Sequence, residues 1–214
     1  MVCAPQAERC WHPDPDGVAE AWLIKVPGPG VPARCRELAR ALIARVAGPG
    51  TQLLRDRFGK PYLSPGVFEI SISHSGSWLA VAASSVPCGI DIEDASIPRP
   101  LDGAASVIMA PEAFAAWCEQ GRPPAAFFES WTRREAIGKA AGRGLTEEIL
   151  TAPLESAFST ANAVIHHYHI RTRPDLHLAI AATASQRLLR LRRLTSDLEQ
   201  ASEEVHTLAN CAFR

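Results

Sequence analysis

Apolar and polar positions change period several times along the chain, and each change marks an element. In "RCRELARALIARVAG" Leu38, Leu42 and Val46 recur at helical spacing with Arg36, Arg40 and Arg45 beside them. That pattern predicts a helix with a basic side, ending at Gly48-Pro49. Ahead of it, "AEAWLIKV" is the one apolar piece in a Pro- and Gly-rich stretch, and reads as an edge strand or a short helix. "FGKPYL" is a turn, because Pro61 forces Lys60 toward an extended conformation and Gly59 loosens the chain before it. "VFEISIS" and "SWLAVAAS" alternate or run apolar over strand lengths and are separated by "HSG", which predicts a hairpin leading toward "CGIDIE". "PEAFAAWCEQ" and "AAFFESWTRREAIGKAAGRG" read as helices, the second stopped by glycines, and "AVIHHYHIR" and "LHLAIAATA" read as strands. In "RLLRLRRLTSDLEQASEEVHTLAN" Leu191, Leu194, Leu198, Ala201, Val205 and Leu208 alternate spacings of three and four. This predicts a helical tail with a narrow apolar seam, basic in its first half and acidic in its second.

Two of these segments resemble each other. "SWLAVAASS" superposes on "LHLAIAATA" with Leu79 over Leu178, and a helix followed by strands precedes each. Either the match of two apolar strands is chance, or the fold is α+β with two pseudo-symmetric halves and a cleft at their interface. The expected division is 1–95, 96–185 and a C-terminal amphipathic helical tail over 186–214.

The 214 residues, 47% hydrophobic and 21% charged, are enough for a sizeable core without covalent staples. A net charge of -1 gives no global basic field, and no local patch is long enough to suggest nucleic acid or an anionic membrane. Six scattered cysteines without a CxxC pair, and no secretory leader, point to a reduced, cytoplasmic chain. No apolar run approaches the length that spans a bilayer.

"GIDIE" carries the first chemical signal. On a strand Ile90 and Ile92 face one way and Asp91 and Glu93 the other, about 7 Å apart. If both are charged they repel by about 2 kcal/mol at an effective dielectric near 20. A solvated edge would tolerate that, and so would a bound cation. In "FFESWTRREAIGKAAGRGL" Phe128, Trp131 and Glu135 share one helical stripe, with Lys139 four residues beyond Glu135. Glu135 is then at least partly buried, as a Glu-Lys pair on the core's rim or as a ligand. Asp91, Glu93 and Glu135 together suit a hard dication such as Mg²⁺. In "SISHSG" Ser71 and Ser73 share a strand face and His74 sits at the turn, where it is either a surface histidine or an anion contact alongside Lys60 and Lys139. His167 and His169 of "HHYH" share a strand face without a supporting ligand nearby, and read as a solvated strand.

In chain order the motifs are "GKPYL", "ISHSG", "GIDIE" and "WTRREAIGKAAGRGL". Over residues 34–185 this resembles the 4′-phosphopantetheinyl transferases of the Sfp-like type, whose pattern is GKP, a strand ending in SHS, GxDxE and WxxKExxxKxxGxGL. The chain departs from it in having Arg134 where the pattern has lysine. The resemblance implies two pseudo-symmetric α+β halves with coenzyme A between them. It also implies a Mg²⁺-dependent (or Mn²⁺-dependent) transfer of the phosphopantetheine arm to a serine of an apo acyl or peptidyl carrier protein, releasing adenosine 3′,5′-bisphosphate. By motif, Asp91, Glu93 and Glu135 would hold the metal, and Glu135 or a water it orients would take the serine proton. Lys139 and His74 would contact phosphates with Lys60 and Ser73 nearby, and Arg36 would reach the 3′-phosphate. A catalytically silent coenzyme A or nucleotide binding module and a metal-dependent phosphohydrolase are the alternatives. The chain is expected as a monomer, with antiparallel pairing of two helical tails as the route to a dimer.

Overall fold

In the computed structural model, which describes residues 18–154, 157–160, 164–183 and 188–207, the chain runs β1 (Val18–Lys25), α1 (Val31–Ala47), β2 (Gln52–Arg55), β3 (Pro61–Ser64), β4 (Glu69–Ser75), β5 (Trp78–Ser84) and β6 (Cys88–Asp94). It continues through α2 (Asp102–Ile108), α3 (Pro111–Glu119), α4 (Pro124–Ala141), α5 (Glu147–Thr151), β7 (Ala157–Ser159), β8 (Val164–Arg173), β9 (Leu176–Ala182), β10 (Leu188–Leu194) and β11 (Gln200–Thr207).

Strands β5 and β9 are buried almost throughout, so both of their faces need cover. Each lies inside a sheet: one has the order β11-β10-β1-β5-β4, another β6-β9-β8-β7, and β2-β3 is a separate two-stranded ribbon. The two larger sheets pack on each other through Ala21 and Leu23 of β1, Ala80 and Ala82 of β5, Ile90 and Ile92 of β6, and Leu178 and Ile180 of β9. Small residues on one sheet meet large ones on the other, which lets the layers interdigitate at native density. Beyond them, α1 covers the outer face of the first sheet with Cys35, Ala39, Leu42 and Ile43, and α4 covers that of the second with Ala136, Ile137 and Ala140. The result is an α-β-β-α stack. Helices α2, α3 and α5 gather at the far side of α4 around Trp117, Phe127 and Phe128.

The segment "AEAWLIKV" forms β1, an interior strand paired with β10 on one side and β5 on the other, not an edge strand or a short helix. The hairpin β4-β5 turns through Gly76 and Ser77, with Gly76 at φ 53, and His74 lies in the strand rather than the turn.

The expected C-terminal helical tail is a β-hairpin. Strand β10 runs parallel to β1, and β11 returns antiparallel to β10. Leu189 and Leu191 point into the core at a strand period of two, and Thr195–Glu199 forms a turn with Leu198 at φ 63. The apolar positions fit both periods, and tertiary pairing selects the strand. The basic and acidic halves match within the chain: Arg192 pairs with Glu203 at 2.9 Å and Arg193 with Glu204 at 3.0 Å. Arg190 and Arg192 also hold Glu20 of β1 at 2.9 Å each. The complementarity expected between two copies is thus used inside one, and among the described residues of this segment, 188–207, there is no helix. Leu208 lies outside the described residues. Among the described residues no helix is long and apolar enough to cross a membrane.

Candidate active site

Strand β4 fastens the two sheets together through its serines. The hydroxyls of Ser71, Ser73 and Ser75, on one strand face, accept the backbone N–H groups of Ile90, Ile92 and Asp94 of β6 at 2.9, 3.4 and 3.1 Å. Side chains therefore stand in for a ladder along β6, which pairs with β9 on its other edge. Ser73 and Ser75 then donate to Asp91 Oδ1 at 2.7 Å and to Glu93 Oε2 at 2.6 Å. The repeated serine of "SISHS" thus orients the carboxylates of "GIDIE". Ser75→Ala leaves the buried Asp94 N–H without an acceptor and is expected to destabilise the fold by about 1–3 kcal/mol. Chemical denaturation measures this, and an unchanged midpoint would mean water replaces the hydroxyl without loss.

Gly89 lets α4 lie directly on β6, and Gly138 lets the turn after α4 fold back against the helix. A Cβ at Gly89 would lie 2.0 Å from Ala136 O, and one at Gly138 would lie 2.6 Å from Gly144 O. Gly142, at φ 69, ends the helix in the left-handed region. Two stripes of α4 then face different spaces: Trp131, Glu135 and Lys139 line one cavity, while Ala126, Ser130 and Arg134 line another.

The first cavity, of 780 Å³, lies where β4 and β6 meet. It is lined by Asp91, Glu93, Glu135, Lys139, His74, Ser73 and Arg36, so seven of the eight expected site residues share one space. Lys60 lines an adjoining cavity of 240 Å³ whose wall includes Glu135 and Lys139, and it pairs with Glu69 at 3.4 Å. Arg40 and Arg55 also line the larger cavity, and Arg99 holds Glu93 at 2.7 Å. Arg40 follows Arg36 by one helical turn and was legible from that spacing. Arg99 and Arg55 sit in or beside short turns with no periodic signal.

Lys139 turns away from an intrahelical pairing with Glu135 and donates to Asp91 Oδ1 at 2.6 Å and Ile90 O at 3.1 Å. Lys139 and Arg99 thus offset the repulsion between Asp91 and Glu93. Asp91 Oδ2 remains buried with no hydrogen-bond partner, and Glu135 accepts no hydrogen bond among the described residues. Burial raises the Asp91 carboxyl above its ordinary value, with Lys139 and the Ser73 hydrogen bond opposing. Burial also raises that of Glu135, where Lys139 opposes and the charges of Asp91 and Glu93 add. As they stand, no three such side chains among the described residues form a metal-holding cluster. The free Asp91 oxygen and the unengaged Glu135 carboxyl nonetheless offer the hard donors that a dication takes.

His167 and His169 of "HHYH" lie on the face of β8 that α4 covers, not in solvent. His167 is 4% exposed, and His169 Nε2 is 3.1 Å from His177 Nδ1. Burial pushes His167 down to about 4 and His169 down to about 3, so both are neutral at pH 7.

Residues 87–187 match the model of the 4′-phosphopantetheinyl transferase superfamily. The chain is 29% identical over 161 residues to the 4′-phosphopantetheinyl transferase of Bacillus subtilis, covering 72% of this chain and 60% of that protein. It is 33% identical over 94 residues to the 4′-phosphopantetheinyl transferase gsp of Aneurinibacillus migulanus, covering 42% and 38%. It is also 34% identical over 82 residues to the 4′-phosphopantetheinyl transferase psf-1 of Bacillus pumilus, covering 37% and 34%. In each case the alignment spans less than two thirds of the relative's own length. The matched region contains "GIDIE", all of α4, and strands β8 and β9, but not β4, whose serines hold "GIDIE". Over residues 87–187 the chain is thus similar to the 4′-phosphopantetheinyl transferase superfamily.

Proposed function

We propose that this protein transfers the 4′-phosphopantetheine arm of coenzyme A to a serine of an apo acyl or peptidyl carrier protein, with Mg²⁺ or Mn²⁺, in a reduced cytoplasmic setting. The observation that carries the reading is the two-signed lining of the 780 Å³ cavity, carboxylates from β6 and α4 with cations from α1, β2 and α4. A pyrophosphate thioester carrier such as coenzyme A is itself a polyanion, and a cavity of this size lies within the range of cofactor sites.

Asp91, Glu93 and Glu135 would hold the dication, which when bound neutralises charge on phosphoryl oxygens. Arg36, with Arg40 one turn on, would take the 3′-phosphate. Lys139 and His74 would take pyrophosphate oxygens, with Lys60 and Ser73 at the margin, and Lys139 would exchange its Asp91 contact for phosphate. Glu135, directly or through a water, accepts the proton of the carrier serine. The serine oxygen forms a bond to the phosphorus that bears pantetheine, and the bond from that phosphorus to adenosine 3′,5′-bisphosphate breaks. Positioning and fixed charge supply most of the acceleration.

The connectivities β1-α1-β4-β5 and β6-α4-β8-β9 each give the spatial order first, last, middle strand, as in β1-β5-β4 and β6-β9-β8. This supports reading the fold as two related halves with the cavity between them, their boundary falling before β6 rather than at the expected 95/96, which had placed "GIDIE" in the first half. The acceptor requirement tests the reaction: coenzyme A with Mg²⁺ is consumed only when carrier is present. Breakdown without carrier would instead make the chain a phosphohydrolase.

A further inference from the structure

The other stripe of α4 faces a groove of 530 Å³ bounded by Ile108, Trp117 and Leu154. Its lining is largely apolar, and its single charge is Arg134. Arg134 is 5% exposed. Its Nη1 donates to Ile149 O of α5, its Nε is buried without a partner, and among the described residues no carboxylate pairs with it. A guanidinium does not shed its charge at neutral pH, and a buried one without a counter-ion is strongly disfavoured. It is also the side chain best shaped to take a carboxylate by two parallel hydrogen bonds. An apolar wall ending on such a group selects a ligand with an anionic head and an apolar body, and the volume is that of a small-molecule site.

We propose that this groove binds an amphipathic carboxylate, its head on the Arg134 guanidinium and its body along Ile108, Trp117 and Leu154. The site is separate from the 780 Å³ cavity and does not rest on the transferase reading. Octanoate titrated into the full-length protein, followed by calorimetry, is the test. The expected result is one saturable site, at least about tenfold weaker in Arg134→Gln. It is also lost in Ala116→Trp, which fills the groove from an exposed lining position and leaves Arg134 and its bond to α5 in place. Octan-1-ol, equal in body but without the charge, binds at least about tenfold more weakly under the proposal. Equal binding of the alcohol, or undiminished octanoate binding in Ala116→Trp, overturns it. So does the absence of saturable binding in both the wild type and Glu155→Gln, which removes the next carboxylate along the chain after Leu154.

Discussion

Alanine at position 89 is expected to lower the thermal midpoint by about 6–12 °C, on the basis of about 3 kcal/mol for overpacking and the usual slope for a chain of this size. The added methyl would lie 2.0 Å from Ala136 O and 2.6 Å from Ala140 N, both backbone atoms of α4. No rotamer change relieves that contact. The helix must move off the sheet, and it carries Glu135 and Lys139 with it. Activity should therefore fall further than stability does, because Lys139 reaches Asp91 only at the present spacing. Differential scanning calorimetry checks the first part and a transfer assay at low temperature, where the variant is folded, checks the second. An unchanged midpoint would mean that α4 does not pack this closely.

Glu135→Gln is expected to reduce transfer by at least about 10²–10³-fold while leaving the fold intact. The group accepts no hydrogen bond among the described residues, so the amide breaks no contact there. Its carboxyl is raised by burial and by the charges of Asp91 and Glu93. In the unliganded protein the folded state then holds this proton more tightly than the unfolded state does. Ionising it weakens the fold as pH rises from the unfolded value through the folded one, and that penalty is absent below the unfolded value. At neutral pH the variant's midpoint without ligand should therefore not be lower than wild type. As a base Glu135 acts ionised, so the wild-type rate rises with pH through its titration and the variant lacks that rise. Near-normal kcat in Glu135→Gln would remove it from the chemistry, and a lowered midpoint would mean the carboxylate is structural.

Much of the site was legible because its motifs combine local geometry with chemistry. "GIDIE" had to put two carboxylates on one strand face, and the α4 stripe had to carry Glu135 and Lys139 together, whatever the tertiary fold. The partnership of Ser73 with Asp91 and of Ser75 with Glu93 was not legible, because it depends on β4 and β6 meeting edge to edge across sheets. Arg99 was missed because it follows β6 in an irregular stretch with no periodic signal, although it reaches back to Glu93 only six residues away. The C-terminal segment failed differently. Leu191, Leu194 and Leu198 satisfy a helical spacing, but β1 offers an open edge and Glu20 a buried charge, and both are satisfied only if 188–194 is a strand. The internal match of Leu79 with Leu178 fell on β5 and β9, strands flanked on both sides in their sheets, where an unbroken apolar run is required.

The central claim is that the cavity between β4, β6, α1 and α4 moves a phosphopantetheine arm onto a protein serine. The most direct measurement is the intact mass of an apo carrier protein after incubation with this protein, coenzyme A and Mg²⁺, with an EDTA control and a carrier-free control. The account predicts a carrier mass increased by one phosphopantetheine arm, dependent on metal, with no loss of coenzyme A when carrier is omitted. An unchanged mass across acyl and peptidyl carriers, with coenzyme A still bound in the cavity, would contradict it and leave a binding module in place of an enzyme.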